Sequence, residues 1–210
     1  MDLLTTSFRA LANQSRLRLL RAAHAKPGIS VGHLAQAARM SLPNASLQLS
    51  LLRDLEFISA QPDGRLVLCS PAPVDCTRDA FRRELRGLLA DLLGAREPGA
   101  ALKLLGSDAD PAAGWEKVYE LLIWEATAYT HLRRLLILRR MKTHGPERME
   151  AIAAGVGMSI PAAQRHLDKL ARRGLVLRPR AGAPTWELVR PPSTVCRRRL
   201  LDMVLRALDP

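Results

Sequence analysis

The chain has few cysteines and few aromatic residues, and each shortage excludes some classes of protein. Its three cysteines, Cys69, Cys76 and Cys196, lie far apart among 210 residues and form no CxxC pair. This spacing excludes a disulfide framework and predicts a reducing, cytoplasmic location. Aromatic residues make up only 4% of the sequence, whereas hydrophobic residues make up 48%. The core must therefore be built from Leu, Ala, Val and Ile, which favours helices over a large sheet.

Long apolar runs and catalytic motifs are missing as well. No apolar run approaches the roughly 18 residues of a membrane-spanning helix, and the N-terminus lacks the charged and apolar regions of a signal peptide. We therefore expect no membrane contact. The sequence has no GxSxG, HExxH, P-loop or GxGxxG pattern. These absences predict a protein that is not an enzyme and that carries no cofactor.

Positive charge dominates, and it is concentrated toward the end of the chain. Lys and Arg number 32 against 20 Asp and Glu, a net charge of +12. Residues 1–60 carry +4, residues 61–128 carry −3 and residues 129–210 carry +11. Such an excess predicts a polyanionic partner. Basic residues that merely solvate a surface are the alternative, but the segregation along the chain argues against it.

The sequence repeats itself at a constant offset of 118 residues. The residues that recur identically are Arg16, Leu17, Leu20, Arg21, Ala35, Met40, Ser41, Pro43, Ala45, Leu49, Leu52 and Gly64, matched by Arg134, Leu135, Leu138, Arg139, Ala153, Met158, Ser159, Pro161, Ala163, Leu167, Leu170 and Gly182. Other pairs keep their character, such as Leu34 with Ile152. A fixed offset over about 60 residues indicates duplication of a whole folding unit.

Hydrophobic periodicity predicts the same order of elements in each copy. Predicted for the first copy are two helices over 3–25 with Ser15 capping the second, a helix over 31–39, a helix from Ser41 to about 55, and hairpin strands at 57–60 and 66–69. Predicted for the second copy are helices over 132–142 and 147–154, a helix from Ser159 to about 173, and strands at 176–178 and 186–189. Three helices followed by a hairpin are typical of a winged helix-turn-helix.

The segments around the copies complete the predicted architecture. Amphipathic helices follow the hairpins at 78–93 and 195–208, and a helix over 115–130 leads into the second copy. Residues 96–114, rich in Pro and Gly, form the predicted linker. The expected fold is mainly α with small β-hairpin wings. Its two tandem winged helix-turn-helix domains, 1–95 and 115–210, are joined by a helical linker region.

Two stretches resemble ArsR-type winged-helix repressors. Phe8-Arg-Ala-Leu-Ala-Asn-Gln-Ser-Arg-Leu-Arg-Leu-Leu20 resembles the opening helices of that family, and Met158 to Val176 resembles its recognition helix. The resemblance covers about 8–70 and 126–190. It implies a cytoplasmic, homodimeric transcriptional regulator, normally a repressor, that binds double-stranded DNA sequence-specifically.

The metal sites of that family are not matched. Its thiolate site lies on the short helix before the turn, but the corresponding segments, Ile29 to Ala35 and Glu147 to Ala153, contain no cysteine. Its terminal-helix site needs Asp and His, and the helices at 78–93 and 195–208 contain no His. Soft or borderline metals need several converging N or S ligands. We therefore expect no metal, and a small-molecule effector remains open.

The second copy supplies most of the candidate DNA contacts. At about 100° per residue, Ala163, Leu167 and Leu170 share one buried face, which predicts that Arg165 and Lys169 project from the opposite side. Arg pairs well with guanine and Gln with adenine in the major groove. The candidates in this copy are Ser159, Gln164, Arg165, His166, Lys169, Arg178 and Arg180. His166 could equally be a half-buried histidine without contact to DNA.

The first copy has a different face at the same positions. Leu47 and Leu51 replace Arg165 and Lys169. Its candidates are the uncharged Asn44, Ser46 and Gln48, with Arg65 on the hairpin. Neighbouring exposed apolar residues often mark protein contacts. The first copy is therefore predicted to contact DNA weakly, or to pack this face on another helix, with the second copy as the main DNA-binding domain.

Two alternatives stay open at the level of sequence. The protein could be an interaction adaptor that kept the fold and lost DNA binding, a function that would not show steep salt dependence. The two copies could pair with each other, or the helices over 78–93 and 115–130 could form a homodimer. The homodimer is the expectation, since the family's terminal helices normally pair. Trp115, Tyr119 and Trp124 are expected in such an interface or between the domains.

Overall fold

The computed structural model describes residues 1–190 and 192–209 and is mainly helical with small antiparallel sheets. The prediction of a mainly α fold with small hairpins is confirmed at this level. Pro191 and Pro210, which fall within the predicted second domain, lie outside the described residues. In the described part, no helix has the length and apolar character needed to cross a membrane.

The first unit comprises five helices and a three-stranded sheet. Its elements are α1 (Asp2–Leu11), α2 (Gln14–Ala25), β1 (Ile29–Ser30), α3 (Val31–Ala37), α4 (Leu42–Asp54), β2 (Ile58–Asp63), β3 (Leu66–Pro71) and α5 (Ala80–Leu93). The strands are antiparallel in the order β1-β3-β2. Strand β1 was not predicted, because two residues are too short to show alternation.

A connecting segment and the second unit follow. They consist of α6 (Pro98–Leu104), a 3₁₀ turn (Pro111–Ala113), α7 (Gly114–Ala126), α8 (Leu132–His144), α9 (Met149–Val156), α10 (Ile160–Arg172), β4 (Val176–Leu177), β5 (Glu187–Leu188) and α11 (Val195–Ala207). Helix α6 packs on α5 and α7 and buries Ala101 and Leu102. The connecting segment is therefore part of the packed structure.

The helix caps differ in part from the prediction. Helix α2 is capped by Asn13, whose side chain accepts a hydrogen bond from the amide of Arg16 at 3.0 Å, so the prediction of Ser15 was wrong. His131 does the same for α8 through the amide of Arg133. Ser159 occupies the cap position of α10 but makes no side-chain capping bond.

The repeat extends to the backbone conformation. Three left-handed residues of the first unit, Arg39, Glu56 and Gly64, are matched by Gly157, Gly174 and Gly182 of the second. The amides of Met40 and Met158 bond the carbonyls of Ala35 and Ala153, each at 3.0 Å. The two copies therefore use the same turns between their helices.

A repeated arginine ties each leading helix to the next one. Arg16 Nε donates to the carbonyl of Ala10 at 2.6 Å and its Nη2 to that of Arg9 at 2.8 Å. Arg134 donates in the same way, to Ala128 at 2.6 Å and to Thr127 at 2.8 Å. Carbonyls in the last turn of a helix lack a partner within the helix. This role explains why the arginine recurs in both copies.

Equivalent helices of the two units pack against each other. Helix α1 lies on α7, with the rings of Phe8 and Tyr129 at 4.7 Å, and α5 lies on α11. The sequence predicts a homodimer through the helices over 78–93 and 115–130. Helices α5 and α7 are instead packed against other helices of the same chain. The homodimer stays a prediction, and the surfaces of α5 and α7 that were expected to form it are already in use within the chain.

Two ion pairs cross the α5–α11 contact. Asp91 pairs with Arg199 at 2.6 Å, and Glu84 pairs with Arg206. The caps of these helices, Asp79 and Thr194, stand 115 residues apart. At that offset Glu84 matches Arg199 and Asp91 matches Arg206.

Each pair therefore joins a residue of one helix to the residue of the other helix that matches the first residue's counterpart in the second pair. Such an arrangement is the pattern that an approximate twofold axis produces. The helices run antiparallel, because one pair lies seven residues before the other in α5 and seven after it in α11. The two units thus pack like the subunits of a symmetric dimer.

Candidate nucleic-acid interface

Helix α10 is held by one buried face. Ala163, Leu167 and Leu170 are fully buried against the second unit's core, where α10 packs on α8 and α9. Pro161 lies in the first turn, where its missing amide hydrogen costs little. This seating leaves the opposite side of α10 toward solvent.

Two arginines occupy the outermost positions of α10. Arg165 is exposed, as the periodicity predicts, and Arg172 is exposed seven residues later on the same face. No acidic side chain among the residues that the structure describes pairs with either of them. Arg172 was missed in the sequence, although the two-turn spacing from Arg165 could have identified it.

The flank of α10 toward the hairpin is partly neutralised. Asp168 pairs with Arg178, with 2.8 Å between carboxylate oxygen and guanidinium nitrogen. Gln164 is half-buried, whereas Arg180 is exposed at the hairpin turn that Ala183 closes. Of the two predicted hairpin arginines, Arg180 is therefore the one without an acidic partner in the described part of the chain.

The other flank faces the connection between α7 and α8. The rings of His166 and His131 lie 4.6 Å apart. Burial, followed by His131 and nearby arginines, lowers the pKa of His166. Burial, with Arg134 and Arg173 next, also lowers the pKa of Lys169. Lys169 is half-buried, so the prediction that it projects directly away from the core was wrong.

Arg173 closes this flank against α7. Its guanidinium lies 3.3 Å from the ring centroid of Trp124 and donates to the hydroxyl of Thr127 at 2.7 Å. Trp115, by contrast, is half-buried between the units, where Arg21 lies 4.0 Å from its ring centroid and Tyr119 stacks on it. Trp115 and Tyr119 thus lie between the units, whereas Trp124 packs on Arg173 beside α10.

Two further exposed arginines of the second unit were not predicted. Arg133 donates to the carbonyl of Val156, at the end of α9, at 2.7 Å. Arg148 is exposed immediately before α9, at the end of that helix away from α10. Both lie outside α10 in sequence, so the periodicity of α10 alone could not indicate them. Arg133 widens the basic surface around the turn between α9 and α10.

Much of the other positive charge in the second unit is compensated. Arg140, Lys142 and Arg197 pair with Glu147, Asp209 and Glu125, and Arg199 and Arg206 pair with acids of α5. The face of α10 keeps its outermost arginines uncompensated. The uncompensated charge of the unit therefore includes the outer face of α10 and the adjoining hairpin turn, together with the exposed Arg190 and Arg198 elsewhere on the unit.

The matching face of the first unit, on α4, carries no such charge. Leu47, at the position of Arg165, is 67% exposed, and Asp54 is exposed at the position of Arg172. Leu51 is half-buried and packs on the core, so only one residue of the predicted leucine pair faces solvent. The outermost positions thus change from two arginines to a leucine and an aspartate.

Two polar DNA-contact candidates of the first unit bond to neighbouring side chains, and the other two are exposed. Gln48 accepts a hydrogen bond from Arg16 at 2.9 Å and donates to Asn44 at 3.4 Å. Ser46 is exposed on α4, and Arg65 is exposed at the hairpin turn next to Asp63. Among these candidates only Arg65 is charged, and Asp63 lies close to it in sequence.

Comparison with known proteins adds no assignment. No protein-family model, curated protein or solved structure matches the chain. The resemblance to ArsR-type repressors therefore remains a prediction from the sequence.

Proposed function

We propose that each unit contains a winged helix-turn-helix domain and that the protein is a double-stranded DNA-binding transcriptional regulator of the ArsR type, acting as a repressor. Helix α10 of the second unit is its main recognition helix. The observation that carries the proposal is the pair Arg165 and Arg172 on the side of α10 opposite its buried face, beside Arg180 on the hairpin. Helix α9, the short turn and α10 supply the frame for this surface.

In this proposal α10 enters the major groove. Arg165 and the flanking Gln164 contact base edges, guanine and adenine being their preferred partners. Arg172 and Arg180 neutralise phosphates, and Ser159 places the free amides of the α10 N-terminus toward another phosphate. Phosphate contacts set the register, while base contacts supply sequence preference.

Exposed leucines on α4 favour a second candidate function. Leu42 and Leu47 are 54% and 67% exposed on the same helix. An adaptor that binds a partner protein through one of these leucines, without DNA, would have affinities with little dependence on salt.

A paired substitution on α10 tests the DNA-binding function. The probe is duplex DNA recovered with the purified protein from its own genome and identified by sequencing. The variant R165A/K169A should bind this duplex roughly 10- to 100-fold more weakly than wild type, the loss expected for a base-contacting arginine. Fluorescence anisotropy titration at fixed salt measures it.

The control is a substitution at the matching outermost position of the other unit. L47A removes the side chain at the position equivalent to Arg165 and should leave affinity within about twofold of wild type. Unchanged affinity of R165A/K169A would rule out α10 as the recognition helix.

A further inference from the structure

The charges on α5 and α11 determine which helices pair. Because Glu84 and Asp91 of α5 face Arg206 and Arg199 of α11, the two helices attract each other across an approximate twofold axis. A second chain docking α5 on α5 would set Glu84 against Asp91. Docking α11 on α11 would set Arg199 against Arg206. Like charges at a contact disfavour it, so the charge pattern favours α5 pairing with α11, and the structure forms this pair within one chain.

The paired units present two different outer faces, one on α4 and one on α10. In a symmetric dimer both recognition helices have the same residues, and the DNA site is correspondingly palindromic. Here the outermost residues of α10 are Arg165 and Arg172, whereas those of α4 are Leu47 and Asp54. A carboxylate repels the phosphate backbone, and a leucine offers no hydrogen bond to a base edge other than apolar contact with thymine.

We infer that one chain binds a DNA site that contains a single half-site, without an inverted repeat and without a second copy of the protein. This inference rests on the proposed DNA-binding function and specifies its substrate. The first unit occupies the place that the second subunit would take in a symmetric dimer, but it does not recognise a DNA sequence. The second unit determines which base pairs are preferred.

Selection from a random duplex library tests the inference directly. Wild-type protein should enrich one contiguous motif lacking twofold symmetry, with one chain per duplex in sedimentation. Enrichment of an inverted repeat, or two chains per selected duplex, would overturn the inference while leaving DNA binding intact. A library with no enrichment at all would instead overturn the proposed function, and this inference with it.

A gain-of-function variant gives a second readout. L47R/D54R gives the outermost positions of α4 the residues found on α10. This variant should bind a duplex carrying the selected motif as an inverted repeat, centred about one helical turn apart, at least tenfold more tightly than a duplex with one motif. The control L47A/D54A should show no such preference. An equal preference for the inverted repeat in wild type would contradict the inference.

Discussion

At the scale of the residue, left-handed backbone positions distinguish the two units. Arg39 and Glu56 adopt φ values of 55° and 59°, where the second unit has Gly157 and Gly174. A side chain in this region costs free energy that glycine avoids. Glu56 is held in place by Arg82 and Arg86, which pair with its carboxylate at 2.5 and 2.6 Å. Arg39 has no comparable restraint among the described contacts.

Exchanging residues between the matched positions should therefore move stability in opposite directions. We expect G157A to lower the free energy of unfolding by about 1 kcal/mol and R39G to raise it by about 0.5 kcal/mol. A methyl group at Gly157 meets nothing within 4 Å, so the cost is conformational. Urea unfolding measures both. G32A, at a helical glycine with equal free space, is the control and should be neutral or stabilising.

His24 is a residue whose environment makes stability depend on pH. Burial, with Arg21 second, lowers its pKa from 6.5 to about 4. The folded state thus favours the neutral ring, so its contribution is complete above pH 6.5 and is lost as pH falls toward 4.

Wild-type stability should therefore fall more steeply than that of H24Q in this window, by at most about 1.4 kcal/mol per pH unit. Unfolding with urea at a series of pH values measures the difference. H144Q, at an exposed ring, serves as the control. Parallel curves for wild type and H24Q would contradict the assignment.

At the level of a single helix, periodicity predicts which residues the helix buries on its own account. It misses the residues that neighbouring elements cover or pair with. The buried face of α10 and the exposure of Arg165 follow from spacing alone. The partial burial of Lys169 does not, because the α7–α8 connection and Arg173 cover that flank. The pairing of Arg178 with Asp168 likewise requires the hairpin's position over α10.

The α5–α11 contact provides a test at this scale. E84R/D91R should lower the free energy of unfolding by about 1 to 2 kcal/mol at low salt, since exposed pairs contribute little each and like charges reverse their sign. Adding R199E/R206E should restore most of the loss. Urea unfolding in low and in high salt measures both effects, and high salt should shrink them. A loss that the compensating changes do not restore would contradict charge pairing across this contact.

At the scale of the whole molecule, the duplicated order of elements was predictable, whereas the pairing of the two units was only one of two alternatives and its contacts were not predictable. Identical residues at constant offset, such as Arg16 and Arg134, indicate the repeat, but their anchoring of each leading helix was not predicted. The antiparallel contact of α5 with α11 joins residues over 100 positions apart and follows no local pattern. Once that contact is known, the complementary charges of Glu84 and Arg206 explain it.

In the proposed function, the uncompensated arginines around α10 bind DNA phosphates and bases. The salt dependence of DNA affinity is the decisive measurement, made by titrating one genomic duplex at several sodium chloride concentrations. Log affinity should fall linearly with log salt, with a slope steeper than about −2, and R172A should reduce the magnitude of that slope by about 1. D54A, the matched change on α4, should leave the slope unchanged. Affinity independent of salt, or an equal slope for R172A and wild type, would show that these arginines do not bind DNA phosphates.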